Sequence, residues 1–496
     1  MIDLATEPDI RVLRQVALLQ DREIQRLHAR LAQVLAAAGA DVVAIQGELE
    51  ALTIQLAQRE QALFGTSSEK RPRGDDAPHA SAPVPRPRRG HGPTGQPRLP
   101  VVEQRFTLPA DQTACPACGG TLTPITGQVE ESEEITVIER QFVVTRQQRQ
   151  KYRCRCNGHV ATAPGPVTLQ AGARYSPAFA VEVASATYLD HLPLERQVRI
   201  MRREGLDVTS QTLWDQIEIL ARTLQPTSEA IHAVVLTAPV IGADETFWRM
   251  MGPRVGTTRW YGWCLTSPDA AYFDIVKHRS AEAARAMLRG YRGIVMADGY
   301  DVYDVLARGD PGFTIAHCWA HVRRKYLEIE AYFPVCTEVI DRIRDLYAVE
   351  RAAHTAAAGG DPAVLLQRRQ EGRADQSVPI IAAIQRWVLA QRVLPESGLA
   401  KAIEYMTGMW RGLTLFLTDP RIPLDNNATE RVLRGPVVGR KNFYGARSQR
   451  GTEVAALFYT LFETAKLRGV EPKAYLRKAV DAALVRPGTI TLPTSA

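Results

Sequence analysis

The chain has 496 residues, with 61 Lys and Arg against 54 Asp and Glu, a net charge of +7 and a pI near 9.0. That length exceeds what one hydrophobic core supports, so several domains are expected, and the basic balance favours a polyanionic partner without demanding one. The N-terminus MIDLATEPDI carries early acids and no apolar core, and nowhere does an apolar run reach about 18 residues; both a secretory signal and a membrane span are therefore excluded, and a cytoplasmic protein is expected.

Residues 8–64 read as one long helix. Ile24, Leu27, Leu31, Val34, Ala38, Val42, Ile45, Leu49, Leu52 and Leu56 follow one another in steps of three and four, a heptad pattern with one stutter near Gly39. This predicts a coiled coil that pairs chains; the alternative is an amphipathic helix packed on its own domain. The helix ends in LFGTSSEKR, Leu63 to Arg71.

Residues 71–100 hold eight Pro, four Gly and six Arg against two acids, and cannot bury enough apolar surface to order themselves. They read as a linker, lying along DNA phosphates or simply solvated. Residues 101–165 carry four of the seven cysteines. Cys115-x-x-Cys118 with its Gly119-Gly120 pair reads as a zinc-knuckle turn, and Cys154-x-Cys156 supplies a second, tighter pair. Strand signals in EITVIERQFVV, Glu134 to Val144, lie between them. The expectation is a zinc ribbon with one structural Zn²⁺ on Cys115, Cys118, Cys154 and Cys156; His159 stands as the alternative to Cys156. The remaining cysteines, Cys264, Cys318 and Cys336, are scattered as buried thiols are.

Residues 175–236 read as helices: one to Tyr188, one over Pro193–Glu204, a turn at Gly205, then a third capped by Thr209 or Ser210 and running to Leu224. Helix, glycine turn and capped helix make a helix-turn-helix-like pattern, which packed helical hairpins share.

In residues 238–330, strand signals run VIGADET, TRWYGWCLT and AAYFDIVKH. A helix is expected at Ala281–Arg289, then the strand GIVMAD, then strand and helix through FTIAHCWAHVRRKYLEI. Asp244 and Asp298 each stand where a strand is expected to hand over to a loop, the usual place for ligands in α/β sheets. His317 and His321 are spaced i, i+4 for a helix. Cys318-x-x-His321 offers two ligand types but no closed metal site, so a positioning role is expected. Arg323, Arg324 and Lys325 are candidates for phosphate contact.

Residues 331–420 read as helices with an Ala/Gly loop at 356–362. In RIPLDNNATERVLRGPVVGRKNFYGARSQRG, Asp425, Asn426 and Asn427 are helix N-caps, and Ala428–Arg434 is expected to be a short helix stopped by Gly435-Pro436. Glu430 falls in its first turn. Behind it, Arg431, Arg434, Arg440, Lys441, Arg447 and Arg450 stand in a stretch without an acid, with Arg440, Lys441, Arg447 and Arg450 the expected DNA contacts. A long amphipathic helix follows from about Thr452 to Arg468.

The order Asp244, Asp298, Glu430, spaced by 54 and 132 residues, resembles the DDE transposases. The FG-x-x-SEK turn, the string YLDHLPLERQ, and VGRKNFYGARSQRG followed by LFETAKLRGVEP resemble the insertion sequence 66 family in particular. The resemblance implies a multidomain α+β protein: an RNase H-like α/β catalytic core (237–330 and 421–468) interrupted by a helical insertion (331–420). An N-terminal coiled coil (1–70), the linker (71–100), a zinc ribbon (101–170) and a helix-turn-helix-like module (171–236) precede it, and a C-terminal segment (469–496) follows. It implies that Asp244, Asp298 and Glu430 hold two Mg²⁺ or Mn²⁺ ions for cleavage and strand transfer of double-stranded DNA at the element's ends and target. Glu245, Asp301, Asp304 and Asp425 are competing acids. A homo-oligomer, accessory proteins of the same element and a nucleoid-associated bacterial location are implied too. A non-catalytic zinc-containing DNA-binding regulator and a nuclease without joining activity are the alternatives.

Overall fold

The computed structural model describes residues 100–103, 107, 117–124, 135, 140–153, 155, 159–251, 257–309, 312–357, 361–443 and 445–494. The expected coiled coil, nearly all of the linker, and Cys115, Cys154 and Cys156 lie outside them. Two compact units divide the chain. In the smaller, residues 68–141, Cys118 is exposed and Gly119 takes a φ of 76°, as a knuckle turn after Cys118 requires. The described part of Glu134–Val144 is not strand. The strands nearest in sequence are β1 (Lys151–Arg153) and β2 (Val160–Thr162), antiparallel in the larger unit.

The larger unit is built on a five-stranded sheet. Its strands are β3 (Val240–Met251), β4 (Thr257–Thr266), β5 (Ala271–Val276), β6 (Ile294–Ala297) and β7 (Thr314–His317), in the order β5-β4-β3-β6-β7. The first three form an antiparallel meander; β6 and β7 join parallel to β3. The parallel strands need crossovers, supplied by helices α4 (Ala281–Met287) and α5 (Asp301–Gly309).

Helices α1 (Pro177–Tyr188), α2 (Leu194–Arg203) and α3 (Ser210–Thr237) precede the sheet. Gly205 turns with a φ of 86° and the Thr209 side chain caps α3, both as expected. The third helix does not end at Leu224. It continues through Pro226 because Thr227, Ser228, Ile231 and Val235 are buried, and that packing outweighs one lost backbone bond.

Helix α6 (Trp319–Leu327) leads into the expected helical segment. This comprises α7 (Cys336–Ala356), α8 (Pro362–Gly372), a π-turn (Arg373–Ser377), α9 (Val378–Ala390), α10 (Gly398–Gly408) and α11 (Trp410–Thr414). It buries its own apolar cluster, which reaches β6 through Met296. Fully buried Arg373 bonds Glu350 at 2.7 Å and donates to the carbonyls of Phe416, Asp419 and Ile422, so it holds the chain that leaves this segment.

Helices α12 (Asn427–Phe443), α13 (Gln449–Leu467) and α14 (Pro472–Val485) complete the unit. Along α13, Thr460 and Thr464 bond the backbone of Phe273 and Ala271, covering the free edge of β5. The expected stop at Gly435-Pro436 is absent; α12 runs on to Phe443. Pro436 is buried, and Gly435 and Gly439 leave room for Glu463, His191 and Tyr459, so tertiary packing overrides the breaker pair.

Candidate active site

Asp244 does not end its strand. It is the fifth residue of β3, which continues to Met251 because β4 pairs with it all the way. What ends there is the parallel pairing, since β6 accompanies β3 only as far as Gly242. Asp244 therefore stands at a newly opened edge, and Asp298 follows the last residue of β6.

Glu430 reaches the same place from 132 residues further on because the start of α12 is anchored at several points. Asn426 Nδ2 donates to the Ala243 carbonyl at 2.8 Å, and the Thr429 hydroxyl lies 2.6 Å from that of Thr266. The Asn426 amide donates to Cys318 Sγ at 3.3 Å, and the Trp319 amide to the Leu424 carbonyl at 2.9 Å. Gly242 makes the approach feasible: a Cβ there would meet Thr429 Oγ1 at 2.0 Å. Asp425, two residues before the first residue of α12, accepts from the amide of Asn427, so the cap position itself falls to Asn426.

Cys318 and His321 thus both touch the Glu430 arm. Burial pushes the Cys318 thiol up to about 12, so it stays neutral and serves as an acceptor. His321 Nε2 lies 3.6 Å from Glu430 Oε1. His317 is the last residue of β7 rather than part of that helix, so the two histidines do not share a helix face. Instead His317 bonds Asp304 at 3.2 Å and packs on Gly412, where a Cβ would meet its ring at 2.1 Å.

Burial, and then the charges of Glu245, Asp298 and Glu430, push the Asp244 carboxyl up to about 8. Glu430 Oε1 is buried without a hydrogen-bond partner. Asp298 and Glu430 thus lie near enough to act on Asp244 through charge. Among the described residues, no three Asp, Glu, His or Cys side chains converge closely enough to close around an ion. The competing acids are occupied or apart. Glu245 points to the other face of β3, bonded by Arg279 and by Tyr303 at 3.1 Å. Asp304 has His317, Asp425 has Asn427, and Asp301 is exposed at the start of α5.

The cationic candidates separate as well. Arg450 is held between Glu218 and Glu453, at 3.1 and 3.0 Å, so its charge is already matched. Arg440 bonds Thr246 Oγ1 at 3.3 Å, two residues from Asp244; Lys441 and Arg447 are exposed. Lys325 lies over the Tyr405 ring at 5.6 Å, while Arg323 and Arg324 are half-buried on α6.

Residues 172–454, more than half of the chain and including all three acids, match the family described as "Transposase IS66 family". The chain belongs to the IS66 transposase family. Residues 112–157, which include all four clustered cysteines, match the family's zinc-finger binding domain. Two similar proteins are both from Sinorhizobium fredii (strain NBRC 101917 / NGR234). Uncharacterized protein y4qI is 30% identical over 417 residues, covering 80% of this chain and 74% of its own. Uncharacterized protein y4hP is 29% identical over 411 residues, covering 77% and 73%.

Sequence reasoning about this IS66-family chain missed Gly242, Thr266, Asn426 and Thr429, which anchor α12 to the sheet. Asn426 and Thr429 were visible only as helix-start residues. Nor did it give a role to Tyr405, which packs with Met409 on Gly299 beside Asp298. Among the described residues no helix is long and apolar enough to cross a membrane.

Proposed function

We propose that the chain cleaves and joins DNA as the transposase of a bacterial insertion sequence, with Asp244, Asp298 and Glu430 as its catalytic carboxylates. The observation that carries this reading is that Asp298 and Glu430, 54 and 186 residues beyond Asp244 in sequence, lie close enough in the fold to act on its carboxyl through charge. The three carboxylates come from a strand, a strand end and a helix start. A sheet of order β5-β4-β3-β6-β7 with β4 antiparallel to the rest supports an RNase H-like core interrupted by helices.

In this reading the three acids hold Mg²⁺ or Mn²⁺, two ions per site, which when bound stabilise charge on the attacking and leaving oxygens of a phosphodiester. The chain's own contribution is placement. Asn426, Thr429 and Cys318 fix the start of α12, so that Glu430 needs little reorganisation to meet the other two acids. His321 orients Glu430 from behind. Arg440, Lys441 and Arg447, with Arg323, Arg324 and Lys325, contact phosphates and set the DNA's path without reading its bases. The zinc-finger segment carries one structural Zn²⁺ on its four cysteines, and the protein acts as an oligomer of at least two chains.

The test is incubation of the full-length protein with candidate element ends and Mg²⁺. Nicks bearing 3′-OH groups and joined products are expected. Asp244→Asn, Asp298→Asn and Glu430→Gln should each abolish both products while DNA binding survives. Activity retained in Glu430→Gln but lost in Asp425→Asn would reassign the third carboxylate. Binding without cleavage would leave a DNA-binding regulator, and cleavage without joining a nuclease.

A further inference from the structure

Strand β3 outruns its parallel partner. Beyond Gly242 only β4 accompanies it, so residues 244–251 and 257–264 make a two-stranded ribbon leading away from the acids. A short backbone clamp closes its open edge. The Met251 amide donates to the Ala446 carbonyl at 2.8 Å, and the Ala446 amide to that of Arg249 at 3.1 Å. Gly445 makes the clamp possible: its φ is 97°, and a Cβ there would meet the Arg249 carbonyl at 2.0 Å.

Side chains alternate along β3, so Trp248 and Met250 are buried while Phe247, Arg249 and Met251 face outward. Register sets Phe247 opposite Tyr261 and Arg249 opposite Arg259. Phe247 and Arg249 share their face of β3 with Glu245, opposite to that of Asp244, so on that face the ribbon presents an aromatic rung and then an arginine rung beyond Glu245. Phe247 is 37% exposed, and both arginines are exposed. Two like charges directly opposite in an antiparallel pair destabilise it, and among the described residues neither arginine is paired with a carboxylate. Arg440 adds a third cation, 5.7 Å from the Phe247 ring centroid, and the burial of Arg440 and its neighbour Arg249 lower its pKa. Exposed Arg447 follows the clamp. The acids on this face, Glu245 and Asp274, are half-buried, and Glu245 already bonds Arg279.

We propose that this ribbon face, on the side of β3 opposite to Asp244, is a binding subsite for unpaired DNA nucleotides, with a base stacked on the Phe247–Tyr261 rung and phosphates on Arg249, Arg259 and Arg440. Duplex DNA offers phosphates and groove edges but keeps its base faces stacked, so an exposed aromatic rung beside arginines suits a strand whose bases are free. The assignment rests on reading the acids as a DNA-cleaving centre, but its test does not depend on cleavage.

The test measures fluorescence anisotropy of the full-length protein with labelled oligo(dT) and with the corresponding dT·dA duplex, in EDTA. Phe247→Leu should weaken oligo(dT) binding about ten-fold and leave duplex binding nearly unchanged, while Phe247→Trp should retain it. Arg249→Gln with Arg259→Gln should flatten the salt dependence on oligo(dT) by roughly 0.7 per lost contact in the log–log slope. The same pair should leave Tm unchanged or raised, since the like-charge rung is gone. Wild-type oligo(dT) affinity in Phe247→Leu, or equal losses on single strand and duplex, would overturn the subsite. That failure with metal-dependent cleavage intact removes only the subsite; loss of the triad reading with the oligo(dT) effects intact removes only the catalytic assignment.

Discussion

At the scale of single residues, the site is governed by charges the fold does not neutralise. Asp244 is held up to about 8 from an ordinary 3.8, first by burial and then by Glu245, Asp298 and Glu430. A carboxylate raised in this way favours folding while protonated. Its contribution is complete below the unfolded pKa and is lost as pH rises through the folded one. In EDTA the melting temperature should therefore fall between about pH 5 and about pH 9, and Asp244→Asn, which cannot ionise, should melt at least about 2 °C above wild type at the upper end. Thermal melts across that range check this; parallel profiles for the two proteins would show that the repulsion is not felt. The three acids stood out as candidates in the sequence because each follows an apolar run or opens a capped helix. Asn426 and Thr429 were not, because their partners, Ala243 and Thr266, lie 183 and 163 residues away.

At the scale of elements, α12 carries Glu430 to the sheet, and its fit depends on a missing side chain. A Cβ at Gly242 would lie 2.0 Å from Thr429 Oγ1, 2.7 Å from Asn426 Oδ1 and 2.8 Å from Thr266 Oγ1. These atoms are buried and bonded to one another, so none swings aside freely. Gly242→Ala should cost about 1–3 kcal/mol of stability through overpacking and displace Glu430. Removing the nearest obstacle with Thr429→Ala should recover part of that cost, so chemical denaturation of the two single variants and the double variant should give a non-additive cycle. Simple additivity would mean that α12 does not press on β3 there. Local signals placed the strands of the meander and the start of α12. They failed at Gly435-Pro436, where packing against His191, Tyr459 and Glu463 keeps the helix going. They also failed at Asp244, read as a strand end when only the parallel partner ends.

At the scale of the whole molecule, the zinc-finger segment was legible because its cysteines recur at short spacings. The helical segment between Asp298 and Glu430 carries no motif. Its use lies in contacts such as Tyr405 on Gly299, Gly412 on His317, and Arg373 on the carbonyls of residues 416–422, which spacing does not encode. The heptad over residues 8–64 makes a separate claim about assembly, and it lies outside the described residues. Its apolar stripe from Ile24 to Leu56 must be covered either by a second chain or by its own. Strand transfer must hold two DNA ends at once, and pairing of chains through this helix would supply that. Light scattering should then report a smaller assembly when residues 1–64 are removed. Leu31→Glu with Leu49→Glu, which keeps the chain length but charges the stripe, should act in the same direction, because an unpaired carboxylate in a helix seam costs more than the seam regains. If both proteins keep the wild-type mass while the doubly substituted chain loses stability, the stripe packs within its own chain, and two DNA ends must be brought together through another surface.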